Sequence, residues 1–195
     1  MQKADRKPIC YIVGGPNGAG KTTFSLCYLP AISGCRNFIN ADLIAQGLSP
    51  LNPESVQLEA GRLFLREIEN YIKRRQNFAF ETTLSGRGHL NLIHRLRSSG
   101  WRVELFYLWI PDAGFSSRRV KERVKHGGHN ISDEALLRRF PRSINNLLKE
   151  YSKICDLTVC YDNSAIVPSL IFEESENGIK IFDRERFELL ERSIR

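Results

Sequence analysis

No stretch of this 195-residue chain stays apolar long enough to cross a bilayer as a helix. The first apolar stretch, Ile9–Val13, is too short for the core of a secretion signal and runs straight into glycines. The expected location is therefore the cytoplasm. Cysteine offers no framework either. Cys10, Cys27, Cys35, Cys155 and Cys160 are odd in number, and no pair has CxxC or zinc-knuckle spacing. They read as reduced thiols, mostly buried. The four histidines have no cysteine or acidic set at ligand spacing, so His126-Gly-Gly-His129 reads as part of a flap and not as a metal centre. The sequence also lacks internal repeats, linkers and low-complexity tracts. It shows no nucleic-acid motif and no interleaving of aromatic with basic residues. The formal charge of +7 then suits a site that handles several phosphates better than a nucleic-acid track, so nucleic acid is not an expected partner.

What is present is an alternation. Short apolar runs at Ile9–Gly15, Phe38–Ala41, Phe78–Phe80, Val103–Ile110 and Leu157–Tyr161 read as buried strands. Helical patterns separate them. One starts near Gly20 and is expected to end at Pro30. A second opens on Asn52-Pro53-Glu54 and runs to about Arg75. A third spans about Gly88–Ser99 and stops at Gly100. Two more, Phe115–Lys125 and Asp133–Ile154, flank Gly127-Gly128, and Pro141 is expected to kink or split the second. Leu170–Phe172 and Ile179–Phe182 read as a C-terminal hairpin, followed by a helix from about Arg184. The implied fold is α/β: a three-layer sandwich with a mainly parallel sheet, and the G-x-x-x-x-G-K-[ST] pattern at Gly15–Thr22 makes it the nucleotide-kinase-like P-loop NTPase type. The length suits a single domain, 1–195, with residues 113–142 as its lid segment.

The chemistry starts at Gly15-Pro16-Asn17-Gly18-Ala19-Gly20-Lys21-Thr22, a complete G-x-x-x-x-G-K-[ST] phosphate loop between a strand and a helix. Glycines let backbone N–H groups turn inward around phosphate oxygens, and the helix start adds partial positive charge. Lys21 is expected to reach the β- and γ-phosphates of ATP or GTP, and the Thr22 hydroxyl to hold Mg²⁺. Thr23 closes the nucleotide-binding set.

Parallel sheets place their sites at the carboxyl ends of the strands. Asp42 follows the second strand and is the candidate general base, with helix capping of Leu43–Ala45 as its structural alternative. Glu81 follows the third strand. It can serve as a metal-holding acid or bind an acceptor hydroxyl, with Thr82 and Thr83 as further acceptor contacts. Asp112 after the fourth strand reads as a helix cap. Arg118, Arg119, Arg123, Arg138 and Arg139 form a basic cluster, and Arg119 and Arg123 share one helical face. Arginines in a closing lid stabilise the charge that develops during phosphoryl transfer.

The segments Gly14–Phe24, Asn40-Ala-Asp-Leu-Ile-Ala45, Phe78–Gly86, Arg119–His129 and Arg138-Arg-Phe-Pro-Arg142 occur in this order. Together they resemble the zeta-toxin-like kinases, in the compact branch often described as predicted ABC-type ATPases. The resemblance runs from about Tyr11 to Asn163. It implies transfer of a γ-phosphate to a UDP-activated amino sugar such as UDP-N-acetylglucosamine, and an antitoxin as partner. It also implies that Asp42 is the catalytic aspartate and that Glu81 with Thr83, or Thr82, holds the acceptor. Arg119 and Arg123 match the lid arginines, with Arg138 or Arg139 as an alternative second member. The rival functions are a kinase for another small metabolite and a nucleotide-dependent switch.

Overall fold

The computed structural model describes residues 7–125 and 131–193. Ile9–Gly14 forms β1, in the middle of the sheet. It pairs in parallel with Phe78–Thr82 (β3) on one side and Arg102–Trp109 (β4) on the other. Phe38–Ile39 (β2) extends the sheet beyond β3, and Leu157–Asp162 (β5) extends it beyond β4, both in parallel. Ser169–Ser175 (β6) and Gly178–Ile181 (β7) add the antiparallel hairpin read from the sequence. The full order is β2-β3-β1-β4-β5-β6-β7.

β1 and β4 are almost wholly buried, which requires helices on both faces of the sheet and explains their continuous apolar runs. Beside them Phe78, Phe80 and Trp101 pack as a cluster, with the Phe78 and Trp101 rings 5.5 Å apart edge to face. Full burial of one such ring stabilises by roughly 2–3 kcal/mol. All five cysteines are free; four are buried and Cys27 is exposed.

The helices are Lys21–Cys27 (α1), Leu29–Ser33 (α2), Ala41–Leu48 (α3), Gln57–Arg74 (α4) and Leu90–Ser98 (α5). Ala113–Lys125 (α6), Asp133–Asn146 (α7), Ser152–Ile154 (α8) and Arg184–Arg192 (α9) follow. Two proline readings need revision. Pro30 does not end α1, which closes earlier at Tyr28. It sits in the first turn of α2, where its missing N–H costs nothing. Pro141 neither splits nor ends α7. The carbonyl it leaves without a helical partner belongs to Leu137, an exposed residue within reach of water. The irregularity comes later, as a π turn over Leu147–Tyr151.

Candidate active site

Both inner glycines of the phosphate loop take left-handed backbone, φ 73° at Gly18 and 79° at Gly20. Space also forbids a side chain there. A Cβ on Gly18 would lie 2.8 Å from the Ser116 carbonyl oxygen, and one on Gly20 would lie 2.7 Å from Asn163 Nδ2. The loop is thus clasped from outside. Ser116 Oγ donates to the Asn17 carbonyl at 2.6 Å, and Asn163 Nδ2 donates to the Ala19 carbonyl at 2.6 Å. The first half of α6 is therefore fastened to the phosphate loop.

Lys21 opens α1 and is buried. Its Nζ donates to the Pro16 carbonyl at 2.9 Å and lies 3.7 Å from Glu81 Oε1. Burial lowers the pKa of its ammonium; the carboxylates of Glu81 and Asp42 pull it back up, and Arg123 pushes it down again. Three charges drawn from three different elements are therefore felt at one nitrogen.

Glu81 leaves β3 directly beside Val13, two residues before the loop begins. Its Oε2 accepts from Thr22 Oγ1 at 2.8 Å and from Asn40 Nδ2 at 2.7 Å. Asn40 Nδ2 is also 3.3 Å from Thr22 Oγ1. Thr22 and Glu81 thus offer oxygen ligands side by side, a donor set that suits a hard cation such as Mg²⁺. Among the described residues, no group of three or more His, Cys, Asp or Glu is placed to hold a metal. His126 and His129 lie outside the described residues.

The capping alternative for Asp42 does not hold, because Asn40 already fills that position. Its Oδ1 accepts from the N–H groups of Asp42 at 2.8 Å and Leu43 at 3.1 Å. Asp42 rides exposed in the first turn of α3. Asn40 itself was not singled out from sequence. The signal was there, a β-to-α junction with a capping residue ahead of a helical pattern. Asp112 does cap α6, accepting from the N–H of Phe115 at 2.7 Å.

A cavity of about 540 Å³ opens on the other side of the loop. Its walls include Lys21, Thr22, Tyr28, Arg119, Arg123 and Ile166. Arg138 and Arg139 do not line it. Arg119 donates to the carbonyls of Asn163 at 2.8 Å and Ser164 at 2.9 Å, with its guanidinium over the Phe115 ring at 4.6 Å. Arg123, one turn on, is the arginine whose charge reaches Lys21. Asp42, Thr82 and Thr83 lie outside this cavity. They come off β2 and β3, across β1 from α6 and Asn163. Thr82 Oγ1 accepts from the N–H of Leu84 at 3.3 Å, and Thr83 Oγ1 pairs with Ser85 Oγ at 2.9 Å.

The zeta toxin family model matches residues 1–185. This chain belongs to the zeta toxin family. Membership places it among the P-loop phosphotransferases, in keeping with the site just described. An uncharacterised protein of Haemophilus influenzae is 32% identical over 126 residues, covering 65% of this chain and 88% of that protein. Among solved structures, the AvrRxo1-ORF1:-ORF2 complex with ATP superposes with a TM-score of 0.74 at 14% identity, covering 95% of this chain. This chain spans 64% of that protein's length. The PezAT toxin–antitoxin system of Streptococcus pneumoniae gives 0.63 at 18% identity, covering 98% of this chain and 86% of that one. At these identities the likeness is one of fold. Among the described residues no helix is long and apolar enough to cross a membrane.

Proposed function

We propose that this zeta toxin family member transfers the γ-phosphoryl group of ATP or GTP to a hydroxyl of a UDP-activated amino sugar of the UDP-N-acetylglucosamine type. The observation that carries the transfer reading is the convergence on Lys21. A metal-suited pair, Thr22 and Glu81, adjoins it, and the charges of Asp42 and Arg123 reach it from opposite sides. A nucleotide switch has no need for a base on the far side of the phosphate loop. The sugar class is carried by family membership.

In this reading the triphosphate lies along the loop at Gly15–Thr23, with Lys21 on its β- and γ-phosphates. Thr22 and Glu81 would hold Mg²⁺, which supplies neutralisation of the phosphate charge. The nucleoside end enters the cavity beside Tyr28, Arg119 and Ile166. The acceptor approaches from the Asp42 side, against the segment that carries Thr82 and Thr83. Its hydroxyl oxygen bonds to the γ-phosphorus as the bond to the β–γ bridging oxygen breaks. The hydroxyl proton passes to the Asp42 carboxylate, the diphosphate leaves, and Arg123 offsets the developing negative charge. The same reading places the protein in the cytoplasm with an antitoxin as partner.

The test is incubation with γ-labelled ATP or GTP and a panel of UDP-sugars. Label appearing in a UDP-amino sugar is the expected result. Label passing to another small metabolite replaces the acceptor class, and nucleotide hydrolysis with no labelled acceptor sinks the kinase reading.

A further inference from the structure

Leu84 is the one aliphatic side chain in the strand-to-helix loop after β3, and it sits at φ 53°. A branched side chain rarely takes this left-handed backbone, and it persists only where its surroundings enforce it. Here the enforcement comes from α7 and the π turn that follows. Ser143 Oγ donates to the Thr83 carbonyl at 2.6 Å, Asn146 Nδ2 to the Leu84 carbonyl at 2.7 Å, and Tyr151 Oη to the Gly86 carbonyl at 2.8 Å. All three side chains are buried. Three carbonyls within four residues are thus gripped by one helical segment.

Regular helix geometry would turn two of these donors toward different faces. Asn146 and Tyr151 are five apart, which separates them by about 140° around an α-helix. In the π turn the N–H of Ser152 bonds back five residues to the Leu147 carbonyl. That wider turn swings residues five apart toward a common face. The held loop also touches the donor side, since Leu84 Cδ1 lies 2.6 Å from where a Cβ on Gly14 would stand.

We infer that the π turn is a positioning device for the acceptor, aligning Asn146 and Tyr151 to hold the Thr83–Gly86 loop in the shape that receives it. The inference rests on the reading of that loop as the acceptor side. The test pairs Tyr151→Phe, which keeps the ring in place, with Asn146→Ala. Amide exchange at 84–86 should rise about fivefold to tenfold, the net worth of one buried hydrogen bond. The KM for UDP-N-acetylglucosamine, or for whichever UDP-sugar the panel shows labelled, should rise by a similar factor while the nucleotide KM stays within about twofold. Unchanged exchange in both variants overturns the latch. Faster exchange with an unchanged acceptor KM overturns the positioning role, and so does nucleotide affinity falling in step with acceptor affinity. Failure of the wild-type protein to bind or turn over nucleotide sinks the kinase reading instead, and the exchange result then judges the latch by itself.

Discussion

Glu81 and Thr83 stand two residues apart at the end of β3, yet they belong to differently built halves of the site. Glu81 turns toward the phosphate loop, where side chains meet side chains: Thr22, Lys21 and Asn40 all touch its carboxylate. Around Thr83 what is held is backbone, with carbonyls gripped by buried hydroxyl and amide groups. The donor half fixes functional atoms directly. The proposed acceptor half fixes a loop shape and leaves Asp42, the proposed base, exposed in a helical turn. An enzyme that meets every nucleotide alike can prebuild the first half, while the second needs a surface fitted to one acceptor.

The sharpest way to break this comparison is to remove one charge from each half. Lys21→Ala should cut transfer by about 10³-fold or more, because a preorganised cation on the transferring group is lost. It should weaken nucleotide binding as well, as read by titration with a fluorescent analogue. Asp42→Asn should cut transfer by about 10²–10⁴-fold and leave nucleotide affinity unchanged. Equal nucleotide weakening in both variants would erase the division between halves.

The next test lies within α6. Arg119 and Arg123 share a helical face, but the first is tied to the Asn163 and Ser164 carbonyls and the second acts at Lys21. Arg123→Ala should lower kcat by about 10²-fold with little change in nucleotide KM. Arg119→Ala should raise nucleotide KM by about tenfold with a smaller effect on kcat, since it loosens the cavity wall. Interchanged effects would reverse the assignment of the two arginines.

The same division governs what the sequence could disclose. The donor half was legible because its residues are bound to a local pattern. G-x-x-x-x-G-K-T fixes the loop, and the strand-end position of Glu81 follows from an apolar run that stops, as does that of Asp42 on the other half. The mainly parallel sheet followed from the same alternation, and the C-terminal hairpin from two short apolar runs joined across a turn. The clasp by Ser116 and Asn163 was not legible, because it joins residues 99 and 144 positions apart in the chain. The π turn was hidden for a different reason. Its residues, Leu147–Tyr151, continue an ordinary helical pattern, and the contacts of Asn146 and Tyr151 with the Leu84 loop are made by residues more than sixty positions away in the chain. The proline signals misled because local breakage was assumed where Pro30 takes a first-turn position and Pro141 faces an exposed stretch of helix around Leu137.

Asn40 spans the boundary between halves, with its amide nitrogen on Glu81 and its amide oxygen capping the helix that carries Asp42. Asn40→Asp keeps a capping oxygen but sets a carboxylate against Glu81. We expect a rise of about 10–100-fold in the Mg²⁺ concentration needed for half-maximal activity, as for other residues that orient metal ligands. Melting temperature should fall without Mg²⁺ and recover when Mg²⁺ is added. A fall in melting temperature with an unchanged Mg²⁺ requirement would reduce Asn40 to a helix cap.

The smallest effect expected is one of acid on the acceptor half alone. His89 packs against Phe80 at 5.0 Å and Phe64 at 6.3 Å, and burial lowers its pKa below the ordinary value. The unfolded chain therefore takes up this proton at a higher pH than the folded one. The stabilisation is fully present above about pH 6.5 and is lost as pH falls from there toward the folded value. Between pH 7.5 and 5.5 the melting temperature should drop by about 2–4 °C more in the wild-type protein than in His89→Gln. Because His89 opens α5 immediately after the Leu84–Gly86 loop, amide exchange in that loop should quicken with acid before exchange in the phosphate loop does. Acid loosening that appears first at Gly15–Thr22 would show that the two halves are not independently held.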